Sequence, residues 1–103
     1  MTPVMPINAL ADGEMTVCRT ADGEVLVCRV DGRYFAVSSR CPHAGQSLIG
    51  GRLRGFELRC PLHAASFDVR DGRRQRGPSE EDLVCYPVHI ENGRVHVDAG
   101  RRD

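Results

Sequence analysis

Turn dipeptides recurring along the chain constrain its fold more than any other feature of the sequence. Asp-Gly falls at 12–13, 22–23, 31–32 and 71–72, and Asn-Gly at 92–93. These pairs tolerate positive φ, which tight hairpin turns demand and most residues resist. Between them lie short segments rich in β-branched residues, at 15–20, 24–30, 33–39, 56–60, 66–69, 83–91 and 94–99. Each has strand length, and none is long enough to suggest a helix. The pattern predicts an all-β chain, a small antiparallel sandwich or barrel. Residues 1–7, with two prolines, are expected as either a first edge strand or a loose tail.

The last hairpin can be placed in register. A two-residue turn at Asn92-Gly93 sets Glu91 opposite Arg94, Ile90 opposite Val95, His89 opposite His96 and Val88 opposite Val97. Val88, Ile90, Val95 and Val97 are then expected on the inner face, with the two histidines facing each other outside.

A length of 103 residues suits one domain, 1–103. A domain this small buries a modest share of its surface, so a metal that ties two loops together would help hold it. No apolar run is long enough to span a membrane. The formal net charge is zero, and all 14 basic residues are arginine. Their placement is uneven: from Arg40 to Arg76, eight arginines stand against Glu57, Asp68 and Asp71. Balanced total charge without interleaved aromatics argues against nucleic acid and fits an acidic protein partner better. The 5 cysteines are odd in number, and the first 20 residues hold no secretory signal. A reducing, cytoplasmic setting is expected, where Cys and His together commonly serve a metal.

Two stretches, 40–55 and 73–82, break the strand rhythm, and loops on a β scaffold are where function concentrates. The first contains Cys41-Pro42-His43; after 16 intervening residues comes Cys60-Pro61-Leu62-His63. Two thiolates and two imidazoles suit zinc or an iron–sulfur centre. Zinc fingers mostly draw like ligands from each loop, whereas each loop here offers one Cys and one His. That mixture lets both cysteines bind one iron and both histidines the other, the division that defines a Rieske centre.

The segments Cys41-Pro42-His43-Ala44-Gly45-Gln46 and Cys60-Pro61-Leu62-His63-Ala64-Ala65-Ser66-Phe67-Asp68 resemble the two cluster-binding boxes of Rieske ferredoxins. The likeness is to the small ferredoxins of bacterial aromatic-ring hydroxylating dioxygenases in particular. Gly77-Pro78-Ser79 is similar to the family's Pro loop, and residues 86–97 to its closing hairpin, so that roughly residues 15–98 are covered. The resemblance implies a Rieske-type sandwich with two cluster-binding loops and one 2Fe–2S cluster. Cys41 and Cys60 would hold its inner iron, and His43 and His63 its outer one. It implies a monomer, with no catalysis of its own, that carries single electrons. They would pass from an NAD(P)H-dependent flavoprotein reductase to a terminal Rieske non-haem iron oxygenase acting on aromatic compounds. Docking would be transient, at the exposed His edge, within an apolar rim of Pro42, Ala44, Pro61, Leu62 and Pro78. A small subunit of a nitrite reductase-type enzyme and a zinc-stapled binding module are the alternatives.

The same resemblance bears on the potential. Respiratory and photosynthetic Rieske proteins carry an extra Cys in each box, joined as a disulfide; the matching positions here are Gln46 and Leu62. Those proteins also place a Ser and a Tyr that donate toward the cluster sulfurs, where this chain has Ala65 and Phe67. Fewer donors leave the reduced state's extra charge less stabilised, which implies a potential near the low Rieske limit, about −150 mV. An oxygenase iron would need two further His and a carboxylate. Only His89 and His96 remain of the 4 histidines, on a sheet face with no expected cavity. Cys18 and Cys28 lie on strands joined at Asp22-Gly23, where a one-residue change of turn decides whether they oppose. Buried thiols are expected there and at Cys85. The acidic run Glu80-Glu81-Asp82 is expected as a solvated loop.

Overall fold

The computed structural model describes residues 2–42, 47–61, 65–76 and 81–100. Its strands are, in chain order, β1 (Thr2–Pro6), β2 (Met15–Thr20), β3 (Gly23–Val30), β4 (Arg33–Ser38), β5 (Arg52–Arg54), β6 (Glu57–Arg59), β7 (Ser66–Asp68), β8 (Arg74–Arg76), β9 (Cys85–Tyr86), β10 (Val88–Glu91) and β11 (Arg94–Val97). They form three antiparallel sheets, ordered β1-β11-β10, β2-β3-β4-β9 and β5-β6-β7-β8.

The second sheet is the middle layer, and β3 shows why. Its run Val25-Leu26-Val27-Cys28 is buried throughout, instead of alternating between core and solvent. Val25 and Val27 pack with Ala36, Val95 and Val97 against the first sheet. Leu26 and Cys28 pack with Val37, Leu58, Phe67 and Val69 against the third. A continuous apolar strand is what two covered faces require. Each fully buried Val, Leu or Phe contributes roughly 1.5–3 kcal/mol relative to an exposed one.

The expected strands are present, with informative differences. The 83–91 segment is two strands, β9 and β10, separated at Pro87, which cannot donate to a ladder. The irregular stretches 40–55 and 73–82 contain the short strands β5 and β8, too brief to show alternation. Residues 1–7 are the edge strand, β1. The Asn92-Gly93 hairpin has the expected register, with φ of 51° and 71° at its two turn residues. Ile90, however, is 48% exposed, on a strand at the edge of its sheet, although it lies opposite the buried Val95.

The turn after β2 sits one residue earlier than expected. Thr20 pairs with Gly23, leaving Ala21 and Asp22 as the turn. The Thr20 hydroxyl fixes it, donating to the Gly23 carbonyl at 2.8 Å and accepting from the Asp22 N–H at 3.2 Å. This register sets Cys18 opposite Val25 and Cys28 opposite Met15. The two thiols pack in different clusters on opposite faces of the sheet, so they do not form a pair.

Candidate metal centre

Both cysteine loops are pinched at the base. After β4, Arg40 bridges Ser47, and the Leu48 N–H donates to the Ser39 carbonyl at 2.7 Å. The six residues between the bridge partners therefore leave and re-enter the scaffold at one point, with Cys41 at the exit. After β6, the Cys60 N–H donates to the Ala65 carbonyl at 2.9 Å, and Arg59 pairs with Ser66. The second loop closes in the same way. Pairing of Arg52 with Arg59 ties the strand leaving the first loop to the strand entering the second.

Gly51 sets how closely the two loops approach. A Cβ there would lie 2.4 Å from the Arg59 carbonyl oxygen and 2.9 Å from that of Leu48. Only a residue without a side chain lets the backbone after the first loop lie against the strand that delivers Cys60.

Cys41 and Cys60 are 1% and 2% exposed and belong to one apolar cluster with Leu48, Leu58, Ala65 and Phe67. Two soft donors from separate loops are thus sheltered from water in one apolar setting, which fits a thiolate-held iron centre. His43 and His63 lie outside the described residues, as do Ala44, Gln46, Leu62, Pro78 and the Gly77–Ser79 segment. Among the described residues no three His, Cys, Asp or Glu come together to hold a metal. Ala65 and Phe67 are both fully buried, so the scaffold beneath the second loop offers no side-chain donor at those positions.

Of the expected apolar rim, Pro42 is half-buried and Pro61 exposed. Sequence reasoning missed Ile49, which is 50% exposed just after the first loop. Its signal was an apolar residue held between the buried Leu48 and Gly50-Gly51. Gly50, Arg52, Arg59, Cys60 and Pro61 line an open cavity of about 270 Å³ beside the second loop.

The remaining candidates lie elsewhere. His89 faces His96 across β10 and β11, with its Nε2 3.8 Å from Glu91 Oε2. His89 is exposed, but His96 is half-buried, since β11 is the central strand of its sheet. Cys28 and Cys85 are buried; burial, with Cys85 nearby, pushes the Cys28 thiol up to about 12. Asp82 is more than part of a solvated run: its carboxylate accepts the Arg74 N–H at 2.9 Å and anchors β8.

An antiparallel β scaffold holding two pinched Cys-bearing loops over an apolar core fits a small metal-binding protein of the iron–sulfur kind. The model of the Rieske [2Fe-2S] domain matches residues 1–87, and the chain belongs to that family. The cofactor of the family is a Rieske-type 2Fe–2S cluster with two Cys and two His ligands. The chain is similar to the 3-phenylpropionate/cinnamic acid dioxygenase ferredoxin subunit of Escherichia coli strain K12. Identity is 39% over 70 residues, covering 67% of this chain and 66% of that protein. It thus spans just under two thirds of the length of that curated relative. Among solved structures, the Sphingomonas yanoikuyae B1 ferredoxin superposes with a TM-score of 0.86 at 30% identity, covering 93% of this chain and 95% of its own. A chain from the complex of reduced oxygenase and oxidized ferredoxin in carbazole 1,9a-dioxygenase also scores 0.86, at 27% identity, over 93% of this chain and 99% of its own. The described residues contain no helix long and apolar enough to cross a membrane.

Proposed function

We propose that this chain is a one-domain, cytoplasmic electron carrier of a multicomponent aromatic-ring oxygenase system. It takes electrons from an NAD(P)H-dependent flavoprotein reductase and delivers them to a terminal Rieske non-haem iron oxygenase. The burial of Cys41 and Cys60 in one apolar cluster, each from its own pinched loop, carries this reading. The ferredoxin subunits among its relatives supply the kind of system.

In this reading Cys41, His43, Cys60 and His63 are the ligands, and the cluster, when bound, takes up and releases one electron at a time. The chain's own residues do the rest. The pinched loop bases fix where the thiols sit, and Leu48, Leu58 and Phe67 exclude water behind them. Neutral imidazoles in place of two thiolates remove negative charge and raise the potential above that of an all-Cys centre. Buried Ala65 and Phe67 withhold donors and keep it near the low Rieske limit, about −150 mV.

Reconstitution tests the role. Product formation by reductase plus oxygenase should require this chain, and unchanged turnover without it refutes the carrier role. The isolated protein should be red-brown, with a dithionite-reduced paramagnetic signal of mixed Cys and His ligation. A colourless zinc-loaded protein would refute the cluster and the carrier role with it. Redox titration giving a clearly positive potential would overturn the low-potential assignment alone.

A further inference from the structure

The outer face of the β5-β6-β7-β8 sheet carries a concentration of positive charge that the fold itself does not use. Arg52 and Arg54 on β5 pair with Arg59 and Glu57 on β6, and Arg76 on β8 stands opposite Ser66 on β7. Leu53, Leu58 and Phe67 alternate with them and point to the core, so the arginines share the outward side. Arg52, Arg54, Arg59 and Arg76 are all exposed.

The acids on this face are already committed. Asp68 is held by Arg70, whose Nη2 donates to Oδ2 at 2.7 Å. Glu57 accepts the Ser66 hydroxyl at 3.0 Å and reaches Arg59 only at 3.9 Å. Among the described residues, Arg52, Arg54 and Arg76 have no ion-pair partner. Paired Arg52 and Arg59 are like charges set directly opposite, an arrangement that works against the sheet. A functional gain is the natural reason to keep it.

The charged face is continuous with the metal loops. Arg52, Arg54, Glu57 and Arg59 line a shallow cavity of about 100 Å³. Arg52 and Arg59 also line the larger cavity that contains Cys60 and Pro61. A partner seated at the second loop would therefore meet these guanidiniums. Exposed Pro61 supplies apolar contact beside them, and exposed Ile49 precedes the Gly50 that lines the same cavity. The whole chain is neutral, so attraction of a partner must come from such local charge.

We infer that Arg52, Arg54 and Arg59 form a docking surface for a carboxylate-rich patch on the terminal oxygenase that receives the electron. The inference rests on the carrier reading and names the chemistry of that partner. Guanidiniums bind carboxylates through paired N–H donors, which fixes orientation as well as attraction. One electron leaves the reduced carrier, and the oxygenase gains it.

The experiment pairs the reduced, cluster-loaded protein with the terminal oxygenase of its own system. It follows both the second-order rate of electron transfer and the dissociation constant of the complex at rising salt. Arg52→Glu/Arg59→Glu should slow transfer at low salt by about tenfold or more and weaken binding in step, with the salt dependence lost or reversed. Arg52→Gln/Arg59→Gln should give a smaller loss in the same direction. Arg19→Glu/Arg94→Glu, the same change of net charge on the other sheets, should alter the rate less than about twofold. The visible spectrum of each variant establishes that it remains folded and loaded. Equal losses in the two double reversals, or none in the first, would overturn the surface while leaving the carrier role intact. No transfer from the wild-type protein would refute the carrier reading itself, and the surface with it.

Discussion

Arg70 grips Asp68 with its side chain and backbone together. Its Nε and Nη2 donate to the carboxylate at 3.0 and 2.7 Å, and its backbone N–H donates to Oδ1 at 2.9 Å. The same guanidinium lies 4.0 Å from the centroid of the Phe56 ring, which meets Phe35 edge-on at 5.9 Å. The Arg70 side-chain hydrogen bonds, the largest influence, hold the Asp68 carboxyl below its usual range. The pair thus clamps the turn from β7 toward β8, at the end of β7 opposite the second Cys-bearing loop.

Asp68→Asn should cost about 1–2 kcal/mol at neutral pH, since charge-assisted bonds are lost but the exposed end of Arg70 is screened. The sign of the pH effect follows from the depressed carboxyl. Its contribution is full above the unfolded carboxylate value of about 3.9 and is lost as pH falls through the lower folded value. Denaturant titrations should show the gap between wild type and variant narrowing below about pH 4. A constant gap down to the acid transition would contradict the clamp.

Gly72 and Gly93 both have positive φ, at 79° and 71°, yet they should respond differently to alanine. A Cβ at Gly72 would lie 1.9 Å from the Leu83 carbonyl oxygen and 3.1 Å from Cys85 Sγ, whereas at Gly93 nothing lies within 4 Å. Gly93→Ala carries backbone strain alone, about 1 kcal/mol. Gly72→Ala adds a steric clash and should cost about 3 kcal/mol or more. At about 4–8 °C per kcal/mol, thermal melts should separate the two widely. Similar melting points would contradict the packing around Gly72.

Much of this was legible because local rules and tertiary demands agree. The Asn92-Gly93 dipeptide fixed its hairpin register, since few residues other than Asn and Gly fill both left-handed turn positions easily. The Asp22-Gly23 dipeptide misled by one residue, because the Thr20 hydroxyl stabilises a turn that composition does not reveal. Cys41, His43, Cys60 and His63 stood out as candidates by spacing, and family resemblance divided them between an inner and an outer iron. The arginine face was visible only as a basic stretch; that Arg52 opposes Arg59 depends on the β5–β6 pairing, which two three-residue strands do not announce. The close approach at Gly51 depends on strand β6, distant in sequence, and no local signal encodes it.

The buried Cys28 thiol should resist alkylation. Its value of about 12, raised first by burial and then by Cys85, leaves almost no thiolate at pH 8. Cys18 is half-buried, and its thiol is raised by burial alone. Mass spectrometry after iodoacetamide treatment of the native protein should find slow labelling at Cys18 and none at Cys28. Because the folded value exceeds the unfolded one, Cys28 contributes stability that fades as pH rises from about 9 toward 12. Faster labelling at Cys28 than at Cys18 would refute the layer assignment of the two residues.

Gly51 offers the sharpest separation of the metal loops from the fold. Its φ is not positive, so Gly51→Ala tests close approach and nothing else. The added methyl must push the chain after Leu48 away from the Arg59 carbonyl, at a cost of about 1–3 kcal/mol. That displacement moves the base of the first loop relative to the strand entering Cys60, and so parts the two cysteines. The expected result is a lower ratio of visible to protein absorbance after purification, with strand content by circular dichroism retained. Gly93→Ala, on a hairpin that holds neither Cys41 nor Cys60, should lose some stability at full loading. If Gly51→Ala loads fully while Gly93→Ala does not, the approach at Gly51 has no part in building the metal centre.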